Sequence, residues 1–188
     1  MQTKTTSRSH SARALAQLAC AIFFAAICVA QPPPPGEATS APVVDFKKLL
    51  PALPEPPAGW SSDPAEGSTD DLGETKITTV HRDYSKGDGD NVPTTSVSII
   101  DSVASPEYLD STIAAWNSNT SDADGYTKSL TVEGMPGFET FENDGKHGSL
   151  WVVVAKRYIL QIETTAQEPG ELQEWLKRID LKKLAEIK

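Results

Sequence analysis

The chain has 188 residues, with 17 Lys+Arg against 26 Asp+Glu, a formal net charge of −9 and 38% hydrophobic residues. That length accommodates one domain on the soft prior of about 100–200 residues per domain. The acidic balance argues against nucleic acid, whose affinity comes mainly from Lys and Arg meeting phosphate, and against an anionic membrane surface, while the apolar and aromatic content is too rich for a disordered chain.

Lys4, Arg8 and Arg13 form a positive start without an acid, and Leu15 to Val29 supply an apolar stretch broken only by Gln17. Cys28-Val29-Ala30 then offers small residues where a signal peptidase reads, which predicts a secretory signal over residues 1–30, cut before Gln31. The alternative is a retained anchor, but the apolar run falls short of the ~20 residues needed to span a bilayer and Pro32 ends it sharply. An exported chain, periplasmic or secreted, is the expectation, with no transmembrane span in its mature part. Both cysteines, Cys20 and Cys28, lie in the removed segment. The mature protein would therefore hold no disulfide, thiol nucleophile or Cys-ligated metal.

Ten of the fourteen prolines fall between Pro32 and Pro64. Residues 31–43 read as a Pro-rich tether, and residues 44–188 as a single domain. Asp45 caps a short helix with Phe46, Leu49 and Leu50 on one face, ended by Pro51. The next stretch runs extended, with Trp60 plugging one end of the core, and 61–74 reads as a polar, acidic loop.

From Lys76 the period becomes two. Thr78, Val80, Arg82 and Tyr84 share one face, Ile77, Thr79, His81 and Asp83 the other, and Thr95, Val97 and Ile99 resume the alternation after a Gly- and Asp-rich turn. Ser105-Pro106-Glu107 opens a helix bearing Leu109, Ile113 and Trp116. Four further strands follow, around Leu130–Val132, Phe138–Phe141, Leu150–Ala155 and Tyr158–Ile162, with Lys156-Arg157 at a tight connection. The links are too short for parallel crossovers. A last helix carries Leu172, Trp175, Leu176 and Ile179 and restarts at Asp180. The predicted order is β-β-α-β-β-β-β-α: an α+β protein, with an antiparallel sheet of about six strands and helices packed on it.

There is no Gly-rich phosphate loop, nucleophile elbow, H-E-x-x-H or paired-Cys signature, and no catalytic residue or cofactor is expected. Asp88, Asp90 and Asn91, near Asp83, are the candidate metal ligands, since Ca²⁺ takes closely spaced carboxylate oxygens. Counted from Asp88, however, Pro93 and Ile99 stand where a dedicated loop requires Gly and a bidentate Glu. Turn chemistry explains the same residues, so no Ca²⁺ binding at physiological affinity is expected. His81 and His147 read as solvated, on a strand and in a turn, while Glu139, Glu142 and Glu163 are placed on a wet face. Asn119-Thr120-Ser121 matches a glycosylation acceptor, relevant only to a eukaryotic route. Trp151 alternates out of phase with Leu150, Val152 and Val154. Its unbroken apolar strand predicts cover on both faces, with a helix bearing Trp116, or Trp175 and Leu176, over the tryptophan; the alternative is a partner surface comprising Trp151, His81 and His147.

Leu49-Leu50-Pro51 leading to Gly59-Trp60, Tyr84-Ser85-Lys86-Gly87-Asp88, Gly134-Met135-Pro136-Gly137-Phe138-Glu139-Thr140-Phe141 and Ile179-Asp180-Leu181-Lys182-Lys183-Leu184-Ala185 together resemble small exported bacterial proteins of unassigned function. The element order is similar to the PsbP-like α/β/α sandwich. The resemblance implies a binding or accessory role toward a protein or small ligand of the cell envelope, with no active-site residues to carry over. The functional expectation is an exported, non-enzymatic binding or accessory module. The alternative is a small hydrolase using His81, His147 and sheet carboxylates, which requires the two histidines to converge.

Overall fold

The computed structural model describes residues 41–188 apart from Leu72, Glu74 and Asp90. The expected signal segment and residues 31–40 of the expected tether lie outside the described residues, which fall within one compact unit. In chain order the elements are α1 (Phe46–Leu49), continued by a 3-10 turn over Leu50–Ala52, β1 (Ser61–Ser62), β2 (Glu66–Asp71), β3 (Lys76–Ser85), β4 (Thr94–Asp101), α2 (Pro106–Ala115), β5 (Thr120–Ser121), β6 (Gly125–Val132), β7 (Met135–Glu142), β8 (His147–Val154), β9 (Tyr158–Thr165), α3 (Gly170–Leu176) and α4 (Leu181–Glu186). The strands form one antiparallel sheet in the order β1-β3-β4-β9-β8-β7-β6-β5, with β2 also on β3. The α+β class and antiparallel pairing stand as expected.

The sheet has nine strands rather than about six, and the three additions lie along its margins. The expected loop over 61–74 holds two of them. Its polar sequence gives no apolar alternation, but Glu66–Asp71 pairs residue for residue with β3. Gly67 makes that approach feasible: a Cβ there would stand 2.7 Å from Val80 Cγ1 and 3.0 Å from both Phe46 Cδ2 and the carbonyl oxygen of Thr79. A short edge strand rich in Asp and Glu also discourages pairing with another chain.

The alternation of β3 and β4 is as read from the sequence. Val80, Tyr84, Val97 and Ile99 point to one face with Leu150, Val152, Leu160 and Ile162, all buried. On this first face lie α1, α3 and α4, contributing Leu49, Leu172, Trp175, Leu181 and Leu184. Asp45 and Asp180 cap α1 and α4, accepting from the amides of Lys47 and Lys183, each at 2.9 Å. Trp60 does plug the core: its ring meets Trp175 edge-on at 5.1 Å between centroids, and Trp175 lies 4.7 Å from Tyr84.

Among the described residues only α2 packs on the second face. Leu109, Ile113 and Trp116 cover Ile100, Ile159, Val153 and Trp151. The helix over Trp151 is thus the one bearing Trp116, whereas Trp175 and Leu176 belong to the opposite layer. Val152 is fully buried and Trp151 half-buried, on opposite sides of β8.

Glu139 requires a correction. It was expected on a wet face, but it shares the first face with Leu150 and is 1% exposed. Its carboxylate is fully engaged: Oε1 accepts from the Tyr126 hydroxyl at 2.5 Å and lies 2.8 Å from Lys128 Nζ, and Oε2 accepts from Gln173 Nε2 at 2.6 Å. These bonds meet the requirement that a buried charge be paired, and they join β6, β7 and α3 under one carboxylate.

Candidate functional site

Beyond the reach of α2, the second face changes character. Strand register sets its side chains in rows across the sheet. One row runs Asp83, Ser96, Glu163, Ser149, Thr140, and the next runs His81, Ser98, Gln161, Trp151, Phe138. The first of these rows is wholly polar, and the second ends in the aromatics bordering α2. Phe138 lies 6.2 Å from both Trp151 and Trp116, stacked on the latter with 6° between ring planes. Among the described residues, no helix covers the polar rows.

This surface exists because period-two alternation delivers Ser, Gln and acidic side chains to one side of β3, β4 and β9 while the other side carries the apolar core residues Val80, Val97, Ile99, Leu160 and Ile162. Glu163 Oε1 accepts from Gln161 Nε2 at 2.8 Å. Asp83 and Ser96 face outward, and with His147, Glu163 and Thr165 they line a cleft of about 370 Å³ at the edge of the sheet.

All three residues of the expected partner surface, Trp151, His81 and His147, lie on this second face. The two histidines do not meet. They stand three strands and four residues of register apart, which is roughly 14 Å across and 13 Å along the sheet. His81 Nε2 is 3.8 Å from Glu66 Oε2. His147 Nδ1 is 3.3 Å from Thr165 Oγ1, but its other ring nitrogen has no partner among the described residues, so no third group orients the ring as hydroxyl activation requires.

Asp88 and Asn91 lie in the β3–β4 turn, where Gly87, Gly89 and Asn91 take positive φ; Asp90 lies outside the described residues. Among the described residues no three His, Cys, Asp or Glu side chains converge on a point where a metal could sit. Nor is any helix among them long and apolar enough to cross a membrane.

A second polar constellation surrounds Asp101, which is fully buried. Arg157 grips its carboxylate through Nε at 3.0 Å and Nη2 at 2.7 Å, and the amides of Val44 and Val103 donate to it at 2.7 and 3.2 Å. Arg157 Nη2 also donates to the Pro42 carbonyl at 2.9 Å. Burial works to lower the Arg157 pKa, but the hydrogen bond and charge of Asp101 outweigh it and raise the value. The pair clasps Pro42 and Val44 to β4 and to the β8–β9 turn. Comparison with protein-family models, curated proteins and solved structures finds no match to the chain.

Proposed function

We propose that the chain is an exported, non-enzymatic binding module that engages its partner through the open half of the second sheet face. The observation that carries this reading is the unequal cover of the two sides. Among the described residues three helices pack on the first face and α2 alone on the second, which leaves Asp83, Ser96, Ser98, Gln161 and Glu163 at least partly exposed. A wide sheet surface with an aromatic border offers many hydrogen-bonding groups and no assembled nucleophile and base, which suits recognition better than turnover. Export rests on the N-terminal sequence pattern. Kinship with the PsbP-like sandwich rests on the element order, and helices on both sides of the sheet support it.

Site-specific photo-crosslinking in the cell envelope tests the reading. A crosslinker at Ser96 or Ser98 is expected to yield a discrete adduct, and one at Lys182 on α4 none. Adducts from every position alike, or from none, would overturn it. Mass spectrometry of the same material is expected to find the mature chain beginning at Gln31.

A further inference from the structure

Charge on the open face is segregated. The strands carry Glu66, Asp70, Asp83, Glu142 and Glu163 toward the second face, whereas the cationic strand residues Lys76, Arg82 and Lys128 all alternate to the first, where the strand acids Asp71, Asp101 and Glu139 each have a cationic partner. The helix α2 adds Glu107 and Asp110 and holds no Lys or Arg. Packing does not explain the separation, because α3, α4 and the turn between them mix signs, with Lys177, Arg178, Lys182 and Lys183 beside Glu171, Glu174 and Glu186. The acids on the face are also largely uncompensated. Among the described residues Asp83 and Glu142 form no ion pair, Glu163 has only the Gln161 amide, and Glu66 has only His81.

Building on the binding-face reading above, we propose that the occupant of this face is a cationic polypeptide segment, rich in Lys or Arg, of an envelope or secreted partner. Several carboxylates spread across a sheet face attract a multiply charged, extended cation rather than a point charge, since the described groups converge on no ion-sized site. Ser96, Ser98, Gln161 and Thr140 between the acids can bond to a peptide backbone, and the border of Trp116, Phe138 and Trp151 offers aromatic surface to a guanidinium or ammonium. Anionic lipid, nucleic acid and acidic glycans are repelled by the same field.

Fluorescence anisotropy with the full chain and three labelled probes tests this: a short peptide alternating Lys and Ser, its Glu and Ser counterpart, and a neutral oligosaccharide. The Lys peptide alone is expected to bind, with affinity falling steeply as salt rises. Asp83→Asn with Glu163→Gln is expected to weaken that binding on the order of tenfold without moving the melting temperature, while Glu174→Gln with Glu186→Gln leaves binding unchanged. Tighter, salt-insensitive binding of the neutral probe, still lost in the Asp83 and Glu163 variant, would overturn the cationic class and leave the face standing. Lys-peptide binding indifferent to the Asp83 and Glu163 variant would overturn the assignment of the face itself.

Discussion

Glu139 and Lys128 oppose each other across β6 and β7 with 2.8 Å between carboxylate and ammonium, the acid 1% exposed and the lysine side chain 46% exposed. That inequality decides the energetics. Lys128 can return to water when the pair is broken, but Glu139 cannot. Glu139→Gln keeps the shape and gives up charge-assisted bonds to Tyr126, Lys128 and Gln173, and is expected to cost about 1.5–3 kcal/mol. Lys128→Met instead strands that buried carboxylate without its counter-charge, and even with the other two donors in place should cost more, about 3–5 kcal/mol. Urea unfolding of both variants checks the order.

Asp101→Asn is the corresponding test at the clasp. It leaves the Arg157 guanidinium, whose side chain is 15% exposed, without its counter-charge, at an expected cost of about 3–5 kcal/mol. Adding Arg157→Met should recover part of that loss, because the stranded charge is then gone. Amide exchange at Val44, which donates to Asp101, should quicken in the single variant more than amides in α4.

Trp151→Ala removes a half-buried ring that Trp116 and Phe138 overlie. Because part of the ring is already in water, the expected cost is about 2–4 kcal/mol, at or below the usual range for a large aromatic truncation. An unmoved denaturation midpoint would mean that α2 does not rest on this face.

Burial pushes the hydroxyls of Tyr84 and Tyr158 up from 10.0 to about 12, neighbouring Arg82 and Arg157 opposing the shift in each case. Tyr126 is raised as well, by burial and by its bond to Glu139. The neutral phenol is therefore the form the fold prefers. The stability contributed by Tyr84 and Tyr158 is complete below about pH 10 and lost as pH rises toward about 12. Urea midpoints across that window should fall in step with tyrosinate absorbance, and a flat profile would contradict the burial of these rings.

The parts of the fold legible from sequence are those where a single apolar face fixes the period. Val80, Val97, Ile99, Leu160 and Ile162 place β3, β4 and β9 unambiguously. Strand β2 was illegible because its sequence, Glu-Gly-Ser-Thr-Asp-Asp, carries no such period; backbone pairing with β3 makes it a strand. Glu139 was misplaced because β7 carries an aromatic on each face, Phe138 on one and Phe141 on the other, so alternation alone names no winner. The signal was in the turn: Glu133 and Gly134 both take positive φ, the geometry of a tight hairpin, and that register sets Lys128 opposite Glu139. Trp151, His81 and His147 were grouped as a surface, and they do share a face. Alternation alone also turns Asp83 to the side of His81 and sets Glu142 and Glu163 on a wet face, but that these acids share one face becomes known only when β9 inserts between β4 and β8.

The most direct test of the open face is carboxyl footprinting of the full chain, comparing purified protein with the cell envelope. In purified protein Asp83 and Glu163 should label readily alongside Glu174 on α3. In the envelope their labelling should fall several-fold while Glu174 keeps its rate. Equal labelling of all three residues in both settings would contradict a partner seated on the second face.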